Sequence, residues 1–195
     1  MELFYPAGQV EFLPRPTAAR PGRPEDLIGE KFPVVEPSGE VVGITTRRLA
    51  HGGTRLLHPT VHLHVLRRDG MLYLQRRALT KRNYPGFWDS SVGGHVDFGE
   101  RILDALFRET EEEIGLTEFH PIALKTYVYS CPRECELVSV FACVGNFELH
   151  PDPVEIAEGR WWSFKEIEDN LGKSVFTPNF EEEFAGISQM LLALL

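Results

Sequence analysis

The stretch GGHVDFGERILDALFRETEEEIGL, Gly93 to Leu116, carries five glutamates around one candidate helix. Ile102, Ala105, Leu106 and Ile114 recur at roughly helical spacing and Gly115 is a natural C-terminal stop, which predicts a helix over Ile102–Ile114. On that helix Glu109, Glu112 and Glu113 share a sector of ~100°, while Glu111 points away. A solvated acidic face is the ordinary account of such a run. Here the three carboxylates repel one another, no lysine is interleaved, and they sit in the last turns beside the negative end of the helix dipole. A hard divalent cation, Mg²⁺ or Mn²⁺, relieves both penalties, because carboxylate oxygens suit it. Glu100, in the glycine-rich turn before the helix, can come round to the same ion.

Working outward, TVHLHVLRRDGMLYLQRRA reads as strand, Asp69-Gly70 turn, strand, and KFPVVEPSGEVVGITT as a hairpin about Pro37-Ser38-Gly39. Further strands are expected at ALKTYVYSC and LVSVFACVGNFEL, a short helix within GRWWSFKEIEDNL, and a last helix from about Pro178 to Leu195. Mixed strands with two or three helices predict an α/β sandwich. Residues 1–31 contain five prolines and no sustained periodicity, so they read as an irregular arm before one domain spanning 32–195.

The chain has 195 residues, 43% of them hydrophobic, enough for a real core. Its net charge of −9 argues against nucleic acid or an anionic membrane as the main partner. No apolar run approaches the ~18 residues of a spanning helix. The start lacks a signal-peptide layout. The three cysteines, Cys131, Cys135 and Cys143, are odd in number and lack metal-motif spacing. Reduced thiols and a cytoplasmic location are the expectation.

Gly94, Glu100 and the run Arg108-Glu109-Thr110-Glu111-Glu112-Glu113-Ile114-Gly115-Leu116 resemble the Nudix box, departing from it at Thr110, where a larger aliphatic residue is usual. The resemblance implies a Nudix-type α/β/α sandwich with a mixed sheet, and divalent-metal-dependent hydrolysis of a diphosphate linkage. It implies Glu109 as general base or water activator, Arg108 orienting it, and Glu112, Glu113, Glu100 and the Gly93 carbonyl as metal ligands. Bound metal would neutralise phosphate oxygens and lower the pKa of water. A weaker likeness at DPVEIAEGRWWSF adds Glu155 to the metal set, with Glu158 as the less favoured choice.

From about Val41 to Phe141 the chain also resembles the isopentenyl-diphosphate isomerase branch of that superfamily, through AHGGTRLLHPTVHLHV, RRALTKRNYPGFWDSSVGGH and ECELVSVF. That likeness implies a second metal site at His51, His58, His95, Glu134 and Glu136. It implies diphosphate contacts at Arg77, Lys81 and Arg47, and a pocket wall at Trp161. Arg76 and Arg82 flank the same loop. His62 and His64 match nothing in that site and read as ordinary strand residues. Two departures weigh against isomerisation: the catalytic cysteine falls on Gly93, and a phosphate-binding arginine falls on Glu109. Proton transfer to and from a C=C bond needs an acid/base pair, so a hydrolase of an organic diphosphate is the favoured expectation. The alternatives are an isomerase-like enzyme on a prenyl diphosphate and a non-catalytic nucleotide-sensing module. A small-molecule diphosphate is the expected partner, and a homodimer is compatible with the resemblance.

Overall fold

Lys31–Val35 (β1) and Val41–Thr46 (β2) pair antiparallel around the Pro37–Gly39 turn, as the sequence predicts, with Lys31 opposite Thr46 and Phe32 opposite Thr45. The computed structural model describes residues 29–81 and 83–195, so most of the expected arm (1–28) and Arg82 lie outside the described residues.

The remaining elements are Arg47–Ala50 (α1), Leu57–Leu66 (β3), Met71–Arg77 (β4), Trp88–Asp89 (β5), Val92–His95 (β6), Ile102–Ile114 (α2), Ile122–Ser130 (β7), Cys135–Val144 (β8), Ile156–Ser163 (β9), Phe164–Asn170 (α3) and Pro178–Leu192 (α4). The larger sheet runs β5-β4-β3-β8-β7, with β6 paired to β3 and β9 to β4. Two compact units result. One takes the described residues up to Val61 with Gly94–Leu106 and Thr126–Ser139; the other takes His62–Gly93, Phe107–Lys125 and Val140–Leu195.

The first unit buries Phe32, Ala50, Val61, Ile102, Ala105 and Val138. In the second, Leu72 and Leu74 of β4 are fully buried, while Tyr73 and Gln75, which alternate with them, face the other side. An aromatic series fills this unit: Trp88 on Trp162 at 5.1 Å between centroids, Trp162 on Phe176 at 5.2 Å, Phe176 on Phe180 at 5.1 Å and Phe180 on Phe184 at 5.6 Å. The Arg160 guanidinium lies 3.6 Å from the centre of the Trp162 ring, a cation–π contact.

The helices begin where capping chemistry allows. The Ser163 hydroxyl accepts from the Glu166 N–H while the Glu166 carboxylate accepts from the Ser163 N–H, a capping box. Thr177 caps α4 through the Phe180 N–H, with Pro178 at its first position. Helix α2 has the bounds its periodicity predicts and stops at Gly115, whose φ of 65° suits glycine.

Two expectations need correction. The strand expected to continue through Phe147–Leu149 ends at Val144. Strand β9 was not foreseen, because Ala157–Arg160 are all exposed and give no apolar alternation. What fixes β9 is its partner: seven residues of β4 pair with it, Met71 opposite Ser163 through Arg77 opposite Ile156, with a bulge before Arg77. Gly159 lies where the Tyr73 ring crosses β9, and a β carbon there would overlap the phenol. Gly159→Ala is therefore expected to destabilise by about 1–3 kcal/mol, the usual cost of overpacking, read from urea midpoints. Restoration by Tyr73→Phe would not be expected to be complete, because the ring carbons also clash.

Candidate functional site

Helix α2 sets the acidic site. Glu113 is 8% exposed, and the Glu109 side chain is 16% and that of Glu112 60% exposed. Arg108 Nη1 donates to Glu109 Oε1 at 2.8 Å and Glu112 Oε2 at 3.3 Å, so one cation orients two of the three carboxylates. Glu113 is held separately: Gln75 Nε2 donates to its Oε2 at 2.9 Å, and the Gly93 N–H to the same oxygen at 3.2 Å. No basic side chain occupies the last turn of α2. Its terminal carbonyls are satisfied by backbone instead, Glu113 by the Asp152 N–H and Ile114 by the His150 N–H, both at 2.8 Å.

Burial pushes the Glu113 carboxyl up to about 7, and the Glu109 charge adds to this; the Gly93 N–H, Gln75 and the Lys81 charge oppose it. A buried carboxyl raised by a like neighbour, among hard oxygen donors, fits a divalent cation. Because the folded pKa of Glu113 lies above its ordinary value of 4.5, this group's contribution to stability is complete below pH 4.5 and is lost as pH rises through about 7. The expected loss is up to about 3 kcal/mol. Chelator-treated protein should show it as a falling Tm that Glu113→Gln flattens and added Mg²⁺ reverses.

The basic residues expected to bind phosphate are each engaged. Arg77 Nη1 donates to Asp89 Oδ2 at 3.1 Å and its Nε to the Asn83 carbonyl at 3.1 Å. Asp89 is held in turn by the Thr177 hydroxyl at 3.0 Å. Lys81 pairs with Glu155, which brings together a residue expected to bind phosphate and one expected to bind metal. Lys81 also acts electrostatically on Glu113, so this pair lies beside the acidic site. Trp161 meets the edge of Tyr73 at 5.3 Å and carries the Arg67 guanidinium 4.9 Å from its ring centre. Arg76 donates to the Gly86 carbonyl and faces Glu158 at 3.6 Å.

The first unit holds the histidines. Ligand nitrogens of His51, His58 and His95 lie within 4.8 Å of one another. His51 Nε2 is 3.0 Å from His95 Nε2. His58 Nδ1 is 2.9 Å from the Leu56 carbonyl, and its buried Nε2 has no hydrogen-bond partner. Burial, more than the nearby His51, lowers the His58 pKa and keeps the ring neutral, the state a metal requires. An orphaned imidazole nitrogen aimed into a three-histidine cluster fits a divalent ion. The two glutamates are placed differently from each other. Glu136 comes to 3.9 Å from His95 Nε2, whereas Glu134 grips His51 Nδ1 at 2.6 Å. With Nδ1 donating to Glu134, the His51 Nε2 is left as the nitrogen facing His95 in the cluster. Phe32 stacks on His95 at 4.5 Å and on His58 at 5.6 Å, walling the cluster. In the same unit Glu100 accepts from the Asp97 N–H at 3.0 Å, and Arg47 donates to Glu30 at 2.6 Å. The three cysteines are free thiols, with Cys143 pushed up to about 12 by burial.

Sequence reasoning did not find Gln75, Phe32 or Asp89. Gln75 had a signal, a polar residue at a buried position of a predicted strand; Phe32 and Asp89 had none.

The sheet, the glycine-rich turn and the acidic helix together make a mixed α+β Nudix fold. Residues 56–180 match the NUDIX domain, and the chain belongs to the Nudix family. Among curated relatives, it is similar to an isopentenyl-diphosphate Delta-isomerase of Brevibacterium linens, 31% identical over 170 residues, 83% of this chain and 93% of the relative. An enzyme of the same name from Clavibacter sepedonicus is 31% identical over 134 residues, 66% of this chain and 70% of the relative. Among solved structures, DR0079 from Deinococcus radiodurans has a TM-score of 0.69 at 22% identity, covering 78% of this chain and 96% of its own. A MutT protein from Methanosarcina mazei Go1 has 0.59 at 23%, covering 69% and 94%. These two share the fold. Among the described residues no helix is long and apolar enough to cross a membrane.

Proposed function

We propose that the protein is a divalent-metal-dependent hydrolase of an organic diphosphate. One observation carries the reading: Glu109, oriented by Arg108, stands beside a Glu113 carboxyl that its own charge helps to raise to about 7. Glu112, Glu113 and Glu109 would hold Mg²⁺ or Mn²⁺, with the Gly93 carbonyl and Glu155 as further oxygen donors. When bound there, such an ion would supply charge neutralisation at phosphorus and a more acidic water. Glu109 takes the proton from the attacking water, and Arg108 keeps its carboxylate aimed. Lys81 reaches the phosphate by leaving Glu155, an exposed partner whose side chain is 42% accessible; Arg77 and Trp161 complete the substrate contacts. A small-molecule diphosphate is the proposed partner.

A second reading is favoured by the histidine cluster and by the name the curated relatives carry: an isomerase-like enzyme acting on a prenyl diphosphate. Gly93 and Glu109, standing where that enzyme is expected to carry a cysteine and an arginine, weigh against it.

The test is a panel of nucleoside, sugar, dinucleotide and prenyl diphosphates with Mg²⁺ in H₂¹⁸O. Phosphate products carrying ¹⁸O support hydrolysis. A rearranged prenyl diphosphate with no phosphate released would establish the second reading. No reaction of any compound by metal-loaded protein would remove both.

A further inference from the structure

His51, His58, His95, Glu134 and Glu136 all belong to the first unit. Ligand atoms of the three histidines gather within 4.8 Å of one another, a group that includes neither glutamate. His51 Nε2 and His95 Nε2 stand 3.0 Å apart. His58 is fully buried and its Nε2 has no hydrogen-bond partner, so the centre is built around a nitrogen that the protein leaves unsatisfied. The other four side chains remain between 10% and 18% exposed, which gives an ion a route inward.

The two glutamates address different nitrogens. Glu136 Oε1 lies 3.9 Å from His95 Nε2, a nitrogen that already faces the cluster. Glu134 Oε2 instead meets His51 Nδ1 at 2.6 Å, while it is His51 Nε2 that faces His95. A neutral imidazole has one donor and one acceptor nitrogen. With Nδ1–H on the carboxylate, His51 Nε2 keeps its lone pair for the cluster. The second oxygen of Glu134, Oε1, has the Cys131 thiol at 4.0 Å.

Backbone and side-chain bonds frame the contact between His51 and Glu134. The Cys131 N–H donates to the Glu134 carbonyl at 3.0 Å and closes the turn between β7 and β8. The Gly53 N–H donates to the Arg133 carbonyl of that turn at 2.9 Å, and Arg55 Nη2 donates to the Ser130 hydroxyl at 2.7 Å. The loop that carries His51 and the turn that carries Glu134 are thus tied at two points besides the carboxylate itself. Moving Glu134 onto an ion would break its hydrogen bond to the outer nitrogen of a ligating ring. Glu136 gives up no such bond to His95 by sharing an ion with it.

We propose that this centre holds its metal through His51, His58, His95 and Glu136, with Glu134 as a positioning residue that orients His51 through Nδ1. Where the resemblance to the isomerase branch implies five ligands, three nitrogens and one oxygen remain. That set suits a four-coordinate ion such as Zn²⁺ or Co²⁺ better than Mg²⁺. The acidic site of α2 offers oxygens and has the opposite preference. The chain therefore sorts metals by donor type, a softer ion to the histidines and a harder one to the glutamates. The histidine centre lies wholly in the first unit, so its metal content stands apart from the chemistry of α2.

The probes are Co²⁺ and Zn²⁺ alone, added to the chelator-treated full chain. One equivalent of Co²⁺ is expected to give the intense visible bands of a four-coordinate ion, with no thiolate charge-transfer band in the near ultraviolet. Zn²⁺ should remove those bands by displacement, and excess Mg²⁺ should not. His58→Ala should abolish them. Glu134→Gln should keep their shape and stoichiometry while weakening Co²⁺ about 10- to 100-fold, the usual cost of losing the group that holds a ligating histidine. Its amide oxygen can still accept from Nδ1–H, and far-ultraviolet dichroism checks that the fold persists. A further measurement needs no variant: in Zn²⁺-loaded wild type the ¹⁵N resonances of His51 should show Nε2 on the metal and a proton on Nδ1. The weak bands of a six-coordinate ion in wild type, or a His51 bound through Nδ1, would overturn the proposal. So would wild-type affinity in folded Glu134→Gln, or a thiolate band, which would make Cys131 a ligand. A wild-type chain that takes up neither Co²⁺ nor Zn²⁺ would remove the centre altogether. None of these outcomes bears on Glu109-dependent hydrolysis.

Discussion

Glu109→Gln is expected to lower kcat for the preferred diphosphate by roughly 1,000-fold, within the range for loss of a positioned general base, with a much smaller change in KM. The amide keeps the shape and can still meet Arg108 with its carbonyl oxygen, so the geometry of α2 survives while the proton acceptor is lost. A second effect runs in the opposite direction. The Glu109 charge helps to raise Glu113, so removing it lets Glu113 ionise more easily. Chelator-treated Glu109→Gln should therefore be at least as stable as wild type at pH 7, and less dependent on pH between 4.5 and 7. Loss of turnover with unchanged or raised Tm distinguishes a chemical role from a folding role. A variant that unfolds, or that keeps more than a tenth of wild-type kcat, would contradict the assignment.

Glu183→Ala is expected to be the most destabilising single substitution among the charged residues discussed. It leaves two buried imidazoles, His62 and His64, without the carboxylate that they share. Breaking a buried charged pair from one side costs about 3–5 kcal/mol, which for a chain of this size is a fall in Tm of about 6–20 °C. Glu183→Gln, retaining one acceptor, should cost less. The acid response follows from the same cluster. The folded pKa of Glu183 lies below its ordinary 4.5, so its contribution is complete above pH 4.5 and is lost as pH falls below it. The steepness of acid unfolding below pH 4.5 should therefore lessen in Glu183→Gln. Equal acid midpoints for that variant and wild type would contradict the account.

The two carboxylates that matter most differ in how much the sequence revealed about them. Glu109 and Glu113 were legible because their relationship is local: three to four residues on one helix share a face whatever the rest of the chain does. The helix bounds were legible for the same reason, since Ile102, Ala105, Leu106 and Ile114 lie on one side and Gly115 stops it. Glu183 and His62 are 121 positions apart, and a lone histidine on a strand with its carboxylate on a distant helix leaves no local trace. The same holds for Lys81 with Glu155 and Arg77 with Asp89. Each looked like an available cation, and only the fold shows which acid it meets. Strand β9 failed differently: its register is set by β4, while its own exposed Ala157–Arg160 run carries no strand pattern.

The aromatic series of the second unit has a spectroscopic consequence. The chain has three tryptophans, Trp88, Trp161 and Trp162, and all belong to that unit. Indole emission is therefore a one-sided reporter, with the Arg160 guanidinium against Trp162 as a built-in perturbant of its colour. Among the described residues of the other unit, Phe32 and imidazole rings pack on the histidine cluster and no tryptophan belongs to that unit, so the emission does not arise there. Far-ultraviolet dichroism sees both units. Coincident unfolding curves from the two signals would identify one cooperative transition, and separated curves would resolve two.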